Sequence, residues 1–221
     1  MTEHESHVAG VTVVQNDSQA SNASWQLIYA PGAGSSIRNP FGTFACDRLA
    51  ELGVPAARFQ FPYQEAGSKR PDRAPVLEAT WLAVIDAVSR DGLKLVIAGR
   101  SMGGRFATIV ASKGAPADGV VAFAYPLHAP GRPEKPRAEH LPAIAVPALF
   151  CSGTRDTFGT PEELQEAAAL VPDSRLHLLD GADHGFAVLK RSGRTRDELF
   201  AEAVDAILAW VPRLRSATAP D

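Results

Sequence analysis

The chain has 221 residues, enough for one substantial hydrophobic core, and we expect a single domain rather than two small ones. Hydrophobic residues make up 45% of the sequence and charged residues 21%, a balance typical of a globular protein and not of a disordered one. The formal net charge of -3 offers no electrostatic reason to expect nucleic acid or an anionic membrane as a partner.

The start of the chain is polar. Its first ten residues, MTEHESHVAG, lack the apolar core of a signal peptide, and no apolar run approaches the roughly 18 residues that cross a membrane. We therefore predict a cytoplasmic protein. Cys46 and Cys151 are too few for a disulfide framework and fit no metal-ligand spacing, so we interpret both as buried apolar side chains and expect no metal site.

Short β-branched strings alternate with longer segments of helical periodicity, which is the pattern of a parallel sheet covered by helices. Residues 1–24 form a polar segment in which GVTVV could be an edge strand, residues 25–213 form the domain, and 214–221 form a tail. In chain order the further predicted elements are a strand at 25–30, a helix at 41–53, a strand at 56–63, a helix at 75–90, a strand at 94–98, a helix after 101, strands at 119–126 and 146–153, a helix from 160, a strand at 175–181 and a helix at 195–211. This order predicts an α/β fold with a mostly parallel sheet of about six or seven strands, helices on both faces, and a site beyond the carboxyl ends of the strands.

The segment KLVIAGRSMGGRFATIVA places Ser101 between a strand and a helix, with Gly99 two residues before it and Gly103 two residues after it. A strand that turns sharply into a helix leaves room for little more than hydrogen at those two positions. This is the pattern of a nucleophile elbow, in which the serine hydroxyl is exposed at the top of the sheet. The sequence therefore predicts that Ser101 is a nucleophile.

A serine hydroxyl needs a base to take its proton and an acid to orient that base. Asp156 follows one predicted strand and His184 follows the last, so the chain order is serine, acid, histidine, as in α/β hydrolases. Asp180 and Asp183 compete for the acid role because they are near His184 in sequence. We prefer Asp156, since Asp183 would have to fold back on its own neighbour.

The negative charge of a tetrahedral intermediate needs backbone N–H donors. Met102, directly after the nucleophile, is one candidate, and the turn PGAG supplies the other, with Ala33 preferred and Gly34 as the alternative. A tight turn at PGAG is expected with or without this role.

These motifs resemble those of small α/β hydrolases of the dienelactone-hydrolase-like group, and more closely the branch described as the α/β-hydrolase-like domain of chromatin-complex and testis-expressed proteins. The resemblance runs from about Trp25 to Val211 and rests on APGAG, FPYQE followed by RPDRAP, GRSMGGR, YPLHAPGRPEKPR, GTRDTFG and DHGF. It implies an α/β-hydrolase fold with Ser101, Asp156 and His184 as the catalytic triad. True dienelactone hydrolases carry a cysteine at the position of Ser101, so dienelactone is not the expected substrate.

Three further residues are candidates for substrate binding. Gly34 lies in the PGAG turn, and Tyr63 ends FPY, which could wall an acyl pocket or pack in the core. His128 begins the proline-rich loop, defined as residues 126–142, which follows a central strand and is expected to lie over the site. We interpret Arg105 and Arg155 as surface or ion-pair residues rather than ligands.

Together these patterns predict a serine hydrolase that cleaves ester or thioester bonds of small, short-acyl substrates, with no organic cofactor. Amide or peptide cleavage by the same residues is one alternative. The other is a hydrolase-fold scaffold that binds a partner without chemistry, because fold does not determine function. No sequence pattern indicates an oligomeric state.

Overall fold

The computed structural model of the protein describes residues 2–17 and 23–214. Residue 1, residues 18–22 of the predicted polar segment and residues 215–221 of the predicted tail lie outside the described residues. Among the described helices, none is long and apolar enough to cross a membrane.

One sheet forms the centre of the molecule. Its strands are β1 (Thr2–Val8), β2 (Val11–Asp17), β3 (Trp25–Ala30), β4 (Ala56–Phe59), β5 (Lys94–Arg100), β6 (Gly119–Phe123), β7 (Ala148–Gly153) and β8 (Ser174–Leu179). They lie in the order β1-β2-β4-β3-β5-β6-β7-β8. β2 pairs antiparallel with β1 and with β4, and every later pair is parallel. The sheet is mostly parallel, as predicted, but it has eight strands.

The additional strand comes from the N-terminal segment, which forms a hairpin where the sequence indicates one edge strand. β1 and β2 are joined by Ala9 and Gly10, both with positive φ (50° and 81°). The side chains of β1 are largely exposed, whereas β2 buries Val11, Val13 and Val14. β1 is hard to recognise in the sequence because an edge strand facing solvent on both sides needs no apolar alternation.

Helices cover both faces of the sheet, as predicted. They are α1 (Pro40–Glu51), α2 (Pro62–Glu65), α3 (Ala74–Val88), α4 (Met102–Ser112), α5 (Pro161–Ala169) and α6 (Arg196–Trp210). α3, α4 and α5 bury apolar side chains in one core, and α1 and α6 do so in the core on the opposite face. α5 and α6 begin where the sequence predicts, and each starts with a capping box, formed by Thr160 with Glu163 and by Thr195 with Glu198. This packing holds the carboxyl ends of the parallel strands at one edge of the molecule.

The predicted strand at 56–63 is too long. β4 ends at Phe59, and Pro62 begins the short helix α2. Pro62 has no N–H to donate to a sheet ladder, and its fixed φ suits a first helical turn. The side chain of Gln64 also accepts a hydrogen bond from the backbone N–H of Phe61 at 2.8 Å. The chain therefore turns away from the sheet, which places Tyr63 and Gln64 beside the loop after β3.

The last residues of the proline-rich loop are hydrogen-bonded to α4. His140 Nε2 lies 2.9 Å from Thr108 Oγ1 of α4. Burial, together with the nearby charge of Arg105, lowers the pKa of His140 to about 4. This histidine is therefore neutral in the folded protein at neutral pH.

We expect His140 to weaken folding in mild acid. An unfolded histidine has a pKa of about 6.5, so between about pH 6.5 and 4 the unfolded state binds a proton that folded His140 does not, and stability falls as pH falls. Replacing His140 by glutamine should reduce the loss of unfolding free energy between pH 7.5 and 5 by about 1–2 kcal/mol. Urea unfolding at both pH values measures this, with His4→Gln on exposed β1 as control. An equally steep loss in His140→Gln would contradict the expectation.

Candidate active site

Ser101 occupies the sharp turn between β5 and α4. Its φ of 51° lies in the left-handed region, which is unusual for a residue with a side chain and typical of strain at functional sites. The backbone N–H of Ser101 donates to the carbonyl of Phe123 at 2.8 Å, which fixes the turn against β6. The side chain faces a cleft at the carboxyl ends of the strands. The structure therefore has the elbow geometry that the sequence predicts.

The two flanking glycines are required by close backbone contacts. A Cβ at Gly99 would lie 2.4 Å from the carbonyl carbon of Gly103, and a Cβ at Gly103 would lie 2.3 Å from the carbonyl oxygen of Ala30. Any side chain at either position would force β5, α4 and β3 apart. The spacing in the sequence thus reflects the tight packing of one helix against two strands.

The structure brings the predicted serine, histidine and acid together. His184 Nε2 lies 3.0 Å from Ser101 Oγ, and His184 Nδ1 lies 2.8 Å from Asp156 Oδ2. The Asp156 side chain is fully buried, whereas the His184 side chain is 23% exposed toward the cleft. With the imidazole proton on Nδ1 facing the carboxylate, Nε2 is free to accept the serine proton.

The loops after β7 and β8 hold the acid and the histidine. Asp156 Oδ1 accepts the backbone N–H of Phe158 at 2.9 Å, which orients the carboxylate within its own loop. The Phe158 ring stacks on the His184 ring, with 4.1 Å between centroids and 25° between planes. Sequence reasoning missed Phe158, whose only signal is its place two residues after the acid in GTRDTFG.

Neither competing aspartate forms a hydrogen bond with the His184 ring, whose partners are Asp156 and Ser101. Asp183 Oδ1 accepts the backbone N–H groups of Gly185 at 2.7 Å and Ala187 at 2.9 Å, so this carboxylate shapes the loop that carries the histidine. Asp180 lies farther out, where its Oδ1 is 3.4 Å from Thr154 Oγ1. The geometry therefore favours Asp156 as the orienting acid.

Arg100 supports the histidine from the last position of β5. Its Nη2 donates to the backbone carbonyl of His184 at 2.9 Å, and its guanidinium lies over the Phe186 ring, 5.6 Å from the centroid. Sequence reasoning gave Arg100 no role, because nothing in its local pattern shows that a loop 84 residues later returns to it.

The loop after β3 passes directly beside Ser101. A Cβ at Gly32 would lie 3.4 Å from the Cβ of Ser101. The side-chain amide of Gln64 donates to the carbonyl of Gly32 at 3.1 Å and to that of Ser35 at 2.7 Å. Gln64 is a second residue that sequence reasoning missed, and it fixes which way this loop faces.

Tyr63 completes the support of that loop. Its hydroxyl donates to the carbonyl of Ala33 at 2.8 Å, and burial raises the pKa of Tyr63 to about 12, so the hydroxyl stays protonated. In a trans peptide the C=O of one residue and the N–H of the next point in opposite directions. Because the carbonyls of Gly32 and Ala33 face α2, the N–H groups of Ala33 and Gly34 face away from it. Tyr63 is buried and positions the loop rather than walling the cleft.

The predicted substrate contact from His128 is not supported by its position. His128 Nδ1 lies 2.9 Å from the carbonyl of Ala129, and Nε2 lies 3.1 Å from Glu163 Oε2 in the first turn of α5. These two hydrogen bonds raise the pKa of His128, that to Ala129 most strongly. His128 lines a different cavity, on the α5 side of the proline-rich loop, because its side chain is held by the start of that helix.

The cleft around Ser101 has a volume of about 780 Å³. Its apolar lining includes Leu77, Met102, Phe106, Pro126 and Phe158. Ala33 and Gly34 line it beside Ser101 and His184. The proline-rich loop contributes Pro126 and Arg137 to this lining, so only part of that loop reaches the site. Arg105, which we interpreted as a surface or ion-pair residue, also lines the cleft.

The sheet is mostly parallel, a serine lies at a strained strand-to-helix turn, and a histidine lies between that serine and a buried acid. These features define an α/β-hydrolase fold with the arrangement of a serine-hydrolase site. The family model described as an alpha/beta hydrolase domain matches residues 23–212. The chain therefore belongs to the alpha/beta hydrolase domain family. The predicted fold class is confirmed, while the narrower branch of chromatin-complex and testis-expressed proteins stays a prediction.

Solved structures share this fold. XC6422 from Xanthomonas campestris, described as an α/β serine hydrolase without a lid, is 18% identical with a TM-score of 0.73, over 100% of this chain and 98% of that one. Est1E from Butyrivibrio proteoclasticus is 13% identical with a TM-score of 0.72, over 96% of this chain and 100% of that one. An α/β serine hydrolase homologue from Coxiella burnetii is 20% identical with a TM-score of 0.70, over 93% and 97%. At these identities the likeness shows the fold alone.

A curated relative shares a shorter segment. The polyketide synthase ThaQ from Burkholderia thailandensis is 35% identical over 68 residues, which make up 31% of this chain and 3% of that protein. The chain thus spans only a small part of the length of this relative.

Proposed function

We propose that this protein is a serine hydrolase that cleaves ester or thioester bonds of small, short-acyl substrates through an acyl-enzyme on Ser101. The observation that carries the proposal is the continuous hydrogen-bonded chain from Ser101 Oγ through His184 to the buried carboxylate of Asp156. This row of hydrogen bonds opens onto a cleft large enough for a small ester. The serine hydrolases among the structural neighbours also support the proposal.

In the proposed reaction, Ser101 Oγ attacks the carbonyl carbon while His184 Nε2 takes the serine proton. Asp156 accepts a hydrogen bond from His184 Nδ1 and stabilises the imidazolium that forms. When the tetrahedral intermediate collapses, the bond to the alcohol or thiol breaks and His184 returns the proton to this leaving group. A water molecule, deprotonated by His184 Nε2, then attacks the acyl carbon; the bond to Ser101 Oγ breaks, His184 returns the proton to that oxygen, and the carboxylic acid is released.

The oxyanion of the intermediate is assigned to two backbone donors. Met102 is the first residue of α4, so its N–H has no acceptor within the helix and lies at the positive end of the helix dipole. Ala33 supplies the second N–H, with Gly34 as the alternative, because the peptide groups of this loop are held with their carbonyls toward Tyr63 and Gln64. These donors act only when negative charge develops on the substrate oxygen.

The short-acyl preference is argued from what surrounds the cleft. Lipases acting on aggregated lipid commonly cover the site with an apolar helical lid after the strand equivalent to β6. Here that interval is the proline-rich loop, whose one helical element within residues 126–142 begins at Leu141, and the loop brings only Pro126 and Arg137 to the cleft. Prolines prevent a long helix there. Little apolar surface is therefore available to cover a long acyl chain.

A chain-length series tests the proposed function. We expect kcat/KM on p-nitrophenyl esters to be highest from acetate to butyrate and to fall by hexanoate or octanoate, since a filled pocket gains none of the roughly 0.8 kcal/mol that each further buried methylene would supply. A matched thioester and a matched anilide of the best acyl group identify the bond preference. A maximum at ten carbons or more, a rate jump at the micellar threshold, or faster cleavage of the anilide would overturn the proposal.

A further inference from the structure

The cleft around Ser101 carries an excess of positive charge. Its lining includes three arginines, Arg100, Arg105 and Arg137, and one acidic residue, Asp72. Asp72 Oδ2 accepts the backbone N–H of Tyr63 at 2.9 Å, so this carboxylate is engaged at the start of α2. Arg100 Nη2 donates to the His184 carbonyl, so this arginine supports the loop of the triad, although its Nε is also buried without a hydrogen-bond partner. Arg105 and Arg137 remain as charged groups whose role the triad does not explain.

Arg105 is a partly buried guanidinium whose charge is not compensated. Within residues 2–17 and 23–214, it forms no ion pair, and its Nε is buried and has no hydrogen-bond acceptor. Its described contact is with the Phe106 ring, whose centroid is 5.6 Å from the guanidinium carbon. A buried donor without an acceptor costs free energy, and more so when it is charged. An anion in the cleft that Arg105 lines would compensate the charge of its guanidinium.

Arg137 brings a second positive charge to the same place. Two hydrogen bonds fix this residue: its Nη1 donates to the carbonyl of Pro126 at 3.2 Å, and its own carbonyl accepts the hydroxyl of Tyr125, just before the loop, at 2.6 Å. Burial, together with the nearby positive charge of Arg105, lowers the pKa of Arg137. Two positive charges that line one cleft, neither of them in an ion pair among the described residues, favour a bound anion there.

Arg105 lies close to Ser101, so an anion bound by this arginine would be near the proposed site of bond cleavage. Arg105 lies four residues after Ser101, and its backbone N–H donates to the carbonyl of Ser101 at 2.9 Å, so it is one turn along α4 from the nucleophile. An anionic group held there would belong to the same small substrate whose carbonyl faces Ser101.

We infer that Arg105 and Arg137 form an anion subsite of the cleft and that the substrate is a small ester or thioester bearing a carboxylate or phosphate group. This inference rests on the proposed hydrolase function for the identity of the bond, but the subsite itself rests on the two arginines. Guanidinium groups suit such anions because they donate two parallel hydrogen bonds to carboxylate or phosphate oxygens.

Matched pairs of esters test the inference. Phenyl acetate is compared with 4-acetoxybenzoate and 4-acetoxyphenyl phosphate for an anion on the alcohol side, and phenyl butyrate with monophenyl glutarate for an anion on the acyl side. We expect kcat/KM to favour the anionic member of at least one pair. Arg105→Gln and Arg137→Gln should each lower that anionic-to-neutral ratio by about 10- to 100-fold. Arg132→Gln, an exposed arginine of the same loop outside the cleft, should leave the ratio unchanged.

Calorimetric titration with glutarate and with inorganic phosphate separates the subsite from the reaction. Binding to the wild type that is lost in Arg105→Gln and kept in Arg132→Gln supports the subsite even if no ester is cleaved, in which case the proposed function alone fails. Cleavage of neutral esters with no anion preference and no binding of either anion would overturn the subsite while the proposed function stands. Arg105→Lys keeps the positive charge but not the planar guanidinium, so it should retain part of the anion binding. It serves as a second variant in case Arg105→Gln does not fold.

Discussion

Ser101→Ala is expected to remove covalent labelling by a fluorophosphonate probe and to lower kcat by about a millionfold, the scale observed when the nucleophile of a triad is lost. The physical reason is that His184 Nε2, 3.0 Å from Ser101 Oγ, then has no hydroxyl to deprotonate. The label is located by mass spectrometry of the digested protein, and kcat is measured on the best short-acyl ester.

Ser112→Ala, at the other end of α4, serves as the matched control and should keep both label and activity. If wild-type protein is labelled at Ser101 and folded Ser101→Ala is not, the protein is a hydrolase and not a binding scaffold without chemistry. Labelling at another residue, or no label on folded wild-type protein, would refute the assignment of the nucleophile.

Asp156→Asn is expected to lower kcat by up to about 10⁴-fold, because an amide at this position no longer holds the imidazole in the tautomer that leaves Nε2 free. The effect should be large because the carboxylate is fully buried and lies 2.8 Å from His184 Nδ1. Steady-state kinetics on the same ester measure it.

Asp183→Asn and Asp180→Asn are the matched controls for the acid. Asparagine at 183 retains an oxygen that can accept the N–H groups of Gly185 and Ala187, so the loop that carries His184 should keep its shape. Both controls should therefore cost far less than Asp156→Asn. If Asp156→Asn proves the mildest of the three, another aspartate orients the histidine.

The choice of Asp156 could be made from the sequence because it depended on position relative to strands. Parallel strands end at one edge of the sheet, so a residue directly after β7 and one directly after β8 must come close to the turn after β5. The prediction of Ser101 with its glycines rests instead on the steric limits of a sharp strand-to-helix turn, which the residues around Ser101 dictate. The two predictions therefore needed only the sheet order and the local backbone geometry.

The supporting residues could not be predicted in this way. Gln64 and Arg100 act through hydrogen bonds to the backbone of loops that lie 29 and more residues away. The sequence offers Tyr63 as a wall of the pocket, but because β4 ends early its hydroxyl faces the carbonyl of Ala33. Whether a polar side chain holds a loop or faces a ligand depends on contacts that no local pattern contains.

The sequence by itself determined the alternation of strands and helices, the starts of α5 and α6, the elbow and the order of serine, acid and histidine, because each depends on periodicity, capping or steric limits within a few residues. Only the tertiary structure decided that His128 faces α5 rather than the cleft, and that Arg105 and Arg137 line the same cleft as Ser101 without an ion pair among the described residues. Side chains on loops take their direction from distant elements that pack against them, so their surroundings exist only once the chain has folded.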